Sequence, residues 1–147
     1  MRMLPTGFKF AIEIRNTLWL DETFANVLRA SGVALAMTDQ SWVPRPWEMK
    51  KPFDMRTADF LYVRLLGDRK GIEAVTTVWE KTVVNREGDI QDWVKYLRPI
   101  VRKGERLYVY CNNHYAGFGP ATAGQFLNIW NDGVEKSLSS SAPLLSS

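Results

Sequence analysis

The sequence predicts an α/β fold with about four β/α units and parallel strands, arranged as half of a TIM-like barrel. Strand-like apolar runs alternate with segments of helical periodicity, an order that implies a parallel sheet with right-handed crossovers. Each strand is apolar on one face and polar on the other near its carboxyl end. A doubly wound sheet is usually apolar on both faces, so half a barrel is favoured over that alternative. A whole barrel needs roughly 250 residues.

The first half of the chain contains the first three predicted strands, at 8–15, 33–39 and 60–67. Asp21 can cap a helix between the first two strands, and Gly32 can end it. Its apolar residues recur at helical spacing: Phe24, Val27 and Leu28. Segment 40–57 holds three prolines and two tryptophans without a sustained period, which predicts a long loop.

Two helices are predicted before the fourth strand, at 106–113, and one helix after it. The first helix rests on Val75, Val78, Trp79 and Val83, and the second on Ile90, Trp93, Val94, Leu97 and Val101, ending at Gly104. Gly119 and Pro120 precede a helix from about Ala121 to Trp130, in which Trp130, like Trp79 and Trp93, is expected in the core. Residues 1–133 are expected to form one partial barrel domain, and the serine-rich 134–147 a disordered tail.

Alternation along the strands places the apolar and polar side chains on opposite faces. In the first strand the apolar face is Phe8, Phe10, Ile12 and Ile14, and the other face is Ala11, Glu13 and Arg15. In the third, Leu61, Val63 and Leu65 oppose Tyr62 and Arg64. In the fourth, Leu107, Val109 and Cys111 oppose Tyr108, Tyr110, Asn112 and His114.

Composition excludes several classes of protein. With 46% hydrophobic residues in 147, the chain is not intrinsically disordered, and no apolar run approaches the ~18 residues of a membrane span. One cysteine and one histidine cannot supply a Cys/His zinc cluster. The amino terminus lacks a secretory pattern, so a cytoplasmic location is expected. A net charge of +3 weakly favours an anionic partner.

Three strings, KFAIEIRNTLWL, TADFLYVRLLGDR and YVYCNNHYAGFGPAT, resemble the C-terminal half of the YecE-like family, also called the domain of unknown function 72. The resemblance implies a TIM-barrel-like fold of which this chain supplies about the last four units. It implies no reaction. It points to the positions Glu13, Arg15, Trp19, Asp39, Tyr62, Arg64, Gly67, Asn112, Asn113, Gly117, Pro120 and Ala123.

These positions predict an anionic small ligand at the carboxyl ends of the strands, where barrel active sites lie. Arginine binds carboxylate or phosphate through two hydrogen bonds, and a glycine-containing turn before a helix offers backbone amides to an anion. The candidate catalytic residues are Glu13, Asp39 and His114, and the candidate ligand-binding residues are Arg15, Tyr62, Arg64, Asn112, Asn113 and Gly117. Glu13, Asp39 and His114 would also suit a metal such as Mg, Mn, Fe or Zn if they converged. No motif names a particular cofactor.

Other interpretations stay open. Glu13, Arg15 and Arg64 can form an interior ion-pair network, and His114 can be a capping residue. Aromatic and basic residues alternate between Trp42 and Phe53, which suits a non-catalytic nucleic-acid-binding module, and Trp42 and Trp47 could form a stacking lid. The chain can also be an inactive truncated copy. A half barrel leaves edge strands unpaired, so a homodimer or a separate N-terminal half barrel is an expected partner.

Overall fold

A computed structural model of the protein describes residues 4–140, and side-chain environments up to residue 132. Four parallel strands form one sheet in the order β1-β2-β3-β4: β1 Ala11–Glu13, β2 Ala34–Gln40, β3 Phe60–Gly67 and β4 Arg106–Cys111. Sequential order is that of a (β/α)₈ barrel, whereas a doubly wound sheet reverses its order at a switch point. The predicted α/β, TIM-barrel-like class is therefore confirmed.

Five α-helices follow the strands: α1 Glu22–Arg29, α2 Arg69–Glu73, α3 Glu87–Leu97, α4 Asn113–Ala116 and α5 Gly119–Ser140. Asp21 caps α1 as predicted, accepting a hydrogen bond from the Phe24 amide at 2.8 Å. The long β2–β3 connection holds only the 3-10 turn Pro46–Glu48, in agreement with the predicted loop. Within the described residues, no helix has both the length and the apolar character of a membrane span.

The predicted helix around Val75–Val83 is wrong. Segment 74–86 has no regular structure, and both Val75 and Val78 are exposed. The segment instead passes along α4, where the Ala116 carbonyl accepts hydrogen bonds from the amides of Val83 (2.8 Å) and Val84 (3.2 Å). Apolar spacing predicts a helix only if the apolar stripe packs against the core, and here it does not.

Other element boundaries also differ from those predicted. β1 is much shorter than 8–15, and Phe8 lies exposed before it. β4 ends at Cys111 because Asn112 caps α4. α5 continues past Trp130 to Ser140, into the segment expected to be disordered, while residues 141–147 of that segment lie outside the described residues.

Within residues 4–132, the helices and the β2–β3 loop pack on one face of the sheet, and the main hydrophobic cluster lies between them and that face. The covered face carries the apolar alternation predicted for the strands. Trp93 of α3 is fully buried at its centre, whereas Trp79 and Trp130, also expected in the core, are half-buried. The fully or nearly buried strand residues on this face are Leu35, Met37, Leu61, Val63 and Leu65.

Gly67 ends β3 directly beneath the backbone of α4. It has a φ of +73°, and a Cβ placed there would lie 2.4 Å from the His114 carbonyl oxygen. Both the left-handed backbone and the close approach therefore require glycine. This contact sets how closely the turn after β4 approaches the end of β3.

We expect Gly67→Ala to destabilise the fold more than Gly32→Ala, a matched control with a φ of +61° and no atom within 4 Å of its Cβ. The control should lower the free energy of unfolding by about 1–2 kcal/mol, the cost of the left-handed backbone. The steric clash should add about 1–3 kcal/mol for Gly67→Ala. Urea unfolding of both variants measures this; equal losses would contradict the packing role of Gly67.

Candidate functional site

The face of the sheet opposite the helices is not covered within the described chain; we call it the open face. The strand register places Thr38, Arg64 and Tyr110 side by side across β2, β3 and β4. The preceding row is Ala36, Tyr62 and Tyr108. Because β2 contributes small residues here, the larger neighbours border a cavity of about 480 Å³. Its lining includes Lys9, Glu13, Tyr62, Arg64, Tyr108 and Tyr110.

Two arginines and one carboxylate lie at the carboxyl-terminal part of the open face. The Arg64 guanidinium donates through Nη1 to Oε2 of Glu13, and Nε of Arg15 lies 3.5 Å from Oε1 of the same carboxylate. The Glu13 side chain is 15% exposed, against 37% for Arg64 and 79% for Arg15. Since one carboxylate faces two guanidinium groups, the cluster keeps a positive charge. Four predicted site residues are thus brought to one face: Glu13, Arg15, Tyr62 and Arg64.

Aromatic rings continue the open face beside this cluster. Tyr62 and Tyr110 stack with ring centroids 5.1 Å apart and planes inclined by 28°. Tyr110 is 53% exposed, and the rings of Tyr108 and Phe60 pack in a T-shaped arrangement with centroids 5.8 Å apart. Tyr108 and Tyr110 were not among the predicted site residues, although the strand alternation already placed them on the polar face with Arg64. Their signal in the sequence was this alternation.

Asp39, a predicted catalytic residue, lies on the opposite, helix-covered face of the sheet. Its Oδ2 accepts hydrogen bonds from the indole Nε1 of Trp93 at 2.7 Å and the hydroxyl of Tyr115 at 2.8 Å. Its Oδ1 accepts from Nε of Arg45 at 3.1 Å. Asp39 alternates with Leu35 and Met37, which explains its direction. With three donors satisfied, this carboxylate joins the β2–β3 loop, α3 and α4.

The same network extends to the surface at the carboxyl ends of β2 and β3. Nη2 of Arg45 donates to Asp89 at 2.7 Å, and Nη1 of Arg86 donates to the same carboxylate at 3.2 Å. A second cavity of about 480 Å³ opens here beside Trp42. Both arginines are already paired, so the cavity offers an anion less unpaired positive charge than the open face does. No sequence pattern indicates this network, because its members come from separate segments.

His114 lies beyond β4 and contacts α2 instead of the open face. Its Nε2 is 3.1 Å from Oε1 of Glu73, and its Nδ1 is 2.7 Å from Oδ1 of Asn112. The ring of Trp79 packs edge-on against the imidazole, with centroids 4.8 Å apart. The predicted catalytic residues Glu13, Asp39 and His114 therefore occupy three separate places.

Asn112, Asn113 and Gly117 shape the turn between β4 and α5. Oδ1 of Asn112 accepts from the His114 amide at 2.9 Å, and Oδ1 of Asn113 accepts from the Gly119 amide at 2.8 Å. Gly117 has a φ of +109°, and a Cβ there would lie 2.7 Å from the Lys81 carbonyl oxygen. Asn113 thus already occupies a backbone amide at the start of α5 that was expected to be available to an anion.

The described residues contain no group of three or more His, Cys, Asp and Glu side chains arranged to hold a metal ion. Glu13, Asp39 and His114, which would suit a metal if they converged, lie apart in the structure. Cys111 has its thiol pKa raised to about 11 by burial, which makes it a poor nucleophile at neutral pH. The chemistry that the described side chains offer is therefore concentrated in the arginines, carboxylate and tyrosines of the open face.

Tyr115→Phe tests the Asp39 network. Burial, and then the negative charge of Asp39, raise the pKa of Tyr115. Removing the hydroxyl should lower the free energy of unfolding at neutral pH by about 1.5–3 kcal/mol, the range for a hydrogen bond to a charged group. The raised pKa means that this contribution is present below about pH 10, where unfolded tyrosine ionises, and declines above it.

Urea unfolding between about pH 7 and pH 11 measures both effects. The stability difference between the wild type and Tyr115→Phe should shrink as the pH rises above the unfolded tyrosine pKa. Tyr108→Phe, on the open face, is the control and should match the wild type at neutral pH. A Tyr115→Phe variant as stable as this control would exclude the network as a stabilising element.

Comparison with known proteins agrees with the fold. A comparison with curated proteins gives no match. A crystal structure of a DUF72 family protein from Thermotoga maritima MSB8 superimposes with a TM-score of 0.59 at 20% identity, covering 88% of this chain and 47% of that one. A DUF72 family protein from Enterococcus faecalis V583 superimposes with a TM-score of 0.59 at 18% identity, covering 86% and 50%. This chain thus spans about half the length of each solved structure.

The family described as "Protein of unknown function DUF72" matches residues 1–144, nearly the whole sequence. The sequential parallel sheet and the two structural neighbours agree with that match. The chain belongs to the DUF72 family.

Proposed function

We propose that this chain binds a small ligand carrying a carboxylate or phosphate group on the open face of its sheet. The observation that carries the proposal is the cluster in which one carboxylate, Glu13, faces the guanidinium groups of Arg15 and Arg64. Such a cluster has excess positive charge, and a guanidinium donates to two anionic oxygens at once. Its position at the carboxyl-terminal part of the strands is where barrel proteins hold their ligands.

Each member of the cluster has a distinct role in this proposal. Glu13 holds the Arg64 side chain in place through one Nη1 hydrogen bond. No other hydrogen-bond partner of the Arg64 side chain is found among the described residues, and part of this side chain is exposed to solvent. Arg15 supplies a second positive charge from a more exposed position. The ligand's anionic group is placed against Arg64, with Arg15 next to it.

The tyrosines indicate the rest of the ligand. The exposed ring of Tyr110, backed by Tyr62, offers a flat apolar surface beside the charges. Rings of this kind stack on planar or ring-shaped groups. A ligand with an anionic group attached to a ring therefore suits the open face better than a bare inorganic anion does.

The proposal has a catalytic version, in which Glu13 acts on the bound ligand, and a binding-only version. A carboxylate within reach of the bound ligand can transfer a proton, and Arg15 and Arg64 would then hold the substrate's anionic group. Asp39 and His114 take no part, because they lie away from the open face. A non-catalytic binding protein would use the same arginines without needing the proton transfer.

Arg64→Gln should weaken binding of phenyl phosphate, the probe, about tenfold or more, because a hydrogen bond to a charged group contributes roughly 1.5–3 kcal/mol. Isothermal titration calorimetry on the full chain measures this, with circular dichroism as the check on folding. Arg102→Gln is the control, since it removes the same charge from an exposed position just before β4, at the amino end of the sheet. Arg15→Gln, in an exposed position, should weaken binding to a smaller degree.

The ring contribution is measured by comparing phenyl phosphate with inorganic phosphate, which should bind more weakly. Phenyl phosphate affinity that is equal in the wild type, Arg64→Gln and Arg102→Gln would overturn the proposal. Once a ligand that the protein converts is known, Glu13→Gln distinguishes the catalytic version of the proposal from the binding-only version. The catalytic version expects turnover to fall by more than binding does.

Nucleic-acid binding is the second candidate, favoured by the exposed ring of Trp42 and the exposed Lys50 and Lys51 in the same β2–β3 loop. The other aromatic and basic residues of that loop are already engaged. The rings of Trp47 and Trp93 pack in a T-shaped arrangement with centroids 4.9 Å apart. Arg45 forms salt bridges with Asp39 and Asp89. Single-stranded oligonucleotide binding that weakens steeply with salt and is lost in Trp42→Ala would favour this candidate over the first.

A further inference from the structure

The sheet ends in two strands that each have one neighbour. Within the described chain, β1 pairs only with β2, and β4 pairs only with β3. The outer edge of each therefore presents unpaired backbone N–H and C=O groups, to which another strand can add. Proteins usually protect such edges by covering or pairing them.

The edge at β4 is bordered by a groove of about 490 Å³ between β4 and α5. Its polar members lie mainly before β4, at one end, and its remaining lining is mostly apolar. Leu127 on α5 is 59% exposed. The apolar lining includes Leu107, Val109, Cys111, Phe126, Leu127 and Trp130.

In a (β/α)₈ barrel each helix packs over its own strand and the next strand along the sheet. α5 follows β4, so its outer part is placed to cover a fifth strand, which would run parallel to β4. That strand must carry apolar side chains at alternate positions on its helix side, matching Leu107, Val109 and Cys111 on β4. The groove therefore specifies the pattern of the strand that fits it.

The segment containing β1 has this pattern. Phe8, Phe10, Ile12 and Ile14 stand at alternate positions along it; the last three are partly buried against the core on the helix side, and Phe8 continues the same alternation before β1. Phe8 is 73% exposed and makes no part of the core. α1 follows β1 and packs on β2, and no described helix precedes β1 to cover its outer side. The apolar row on β1 therefore has the pattern that the groove at β4 requires.

We propose that a second copy of this chain docks here, with β1 of each copy added parallel to β4 of the other. Two copies supply eight parallel strands, the number of a closed barrel, and a two-fold axis along the barrel satisfies both pairs of edges at once. Each solved DUF72 structure is about twice the span of this chain, since the chain covers 47% and 50% of them. Two copies therefore match the size of one such structure.

The pairing also completes the open face. In a closed barrel the open faces of the two copies line one interior, and the second copy contributes its own Glu13, Arg64 and Tyr110 opposite the first set. The cavity bordered by one copy is then walled by strands around the whole barrel axis, and its mouth lies at the carboxyl ends of the strands. This inference rests on the strand edges and the groove, and does not depend on the anion-binding proposal.

Light scattering coupled to size exclusion tests it on the full chain, with a mass of twice 16.8 kDa expected. Leu127→Glu places a charge in the groove, and Phe8→Glu places one on the row that fills it. Both residues are exposed in the single chain, so each variant should fold. Each should raise the dimer dissociation constant about tenfold or more. Val75→Glu, at a position that is 63% exposed and outside the groove, is the control and should leave the dimer unchanged.

Mixing the two variants tests the direction of pairing. A mixed dimer has one junction with both substitutions and one with neither, so it should form more readily than either variant alone. A monomeric wild type, or a dimer that neither substitution weakens, would overturn the proposal. Sensitivity to Leu127→Glu alone would also overturn it, because the copies would then pair β4 to β4. A wild-type chain that stays monomeric but binds a different half barrel would reject a second copy as the occupant.

Discussion

The structure depends on one constraint, which is that the described helices pack on one face of the parallel sheet and leave the other face open. Parallel strands are usually buried on both faces, and here α1, α3, α5 and the β2–β3 loop cover one face alone. The main hydrophobic cluster of strand residues lies on that side, while Ala36 and Phe60 are buried on the open face. The opposite side is left with tyrosines, arginine and a carboxylate, and the chemistry of the protein is concentrated there. In a closed barrel such an open face would line the interior, and each unpaired edge would pair with a further strand.

The Asp39 carboxylate links the elements that pack on the covered side of the sheet. Asp39 ends the apolar row of β2 with a polar group, and Trp93, Tyr115 and Arg45 each donate to it. These donors come from α3, α4 and the long loop, so one buried acceptor joins three elements at the carboxyl end of the sheet. The buried Asp39 carboxylate is tolerated in this position because three donors form hydrogen bonds to it. The arrangement explains why a loop without regular structure lies in a fixed place.

Alternation along strands was the most informative signal in the sequence. It placed Glu13, Tyr62 and Arg64 on one face, and the structure agrees. The same alternation, applied to β2, assigns Asp39 to the face of Leu35 and Met37, and so separates it from Glu13. Past the last strand the alternation stops. The side chains of Asn112 and Asn113 accept hydrogen bonds from backbone amides at the starts of α4 and α5, and His114 contacts Glu73 on α2. The period of a strand cannot predict these contacts. Likewise, the spacing of Val75 and Val78 resembled a helix, but only tertiary packing determines whether such a stripe is buried.

Amide hydrogen exchange at residue resolution tests the central claim, that the sheet of a single chain is open at both edges. In monomeric protein the amides of β2 and β3 should exchange slowly, because both strands are paired on each side. The amides of β1 and β4 that point away from the sheet should exchange quickly in the monomer and slow down as copies associate. Slow exchange of those outward amides in the monomer would contradict the account, since the edges would then be closed by the chain itself.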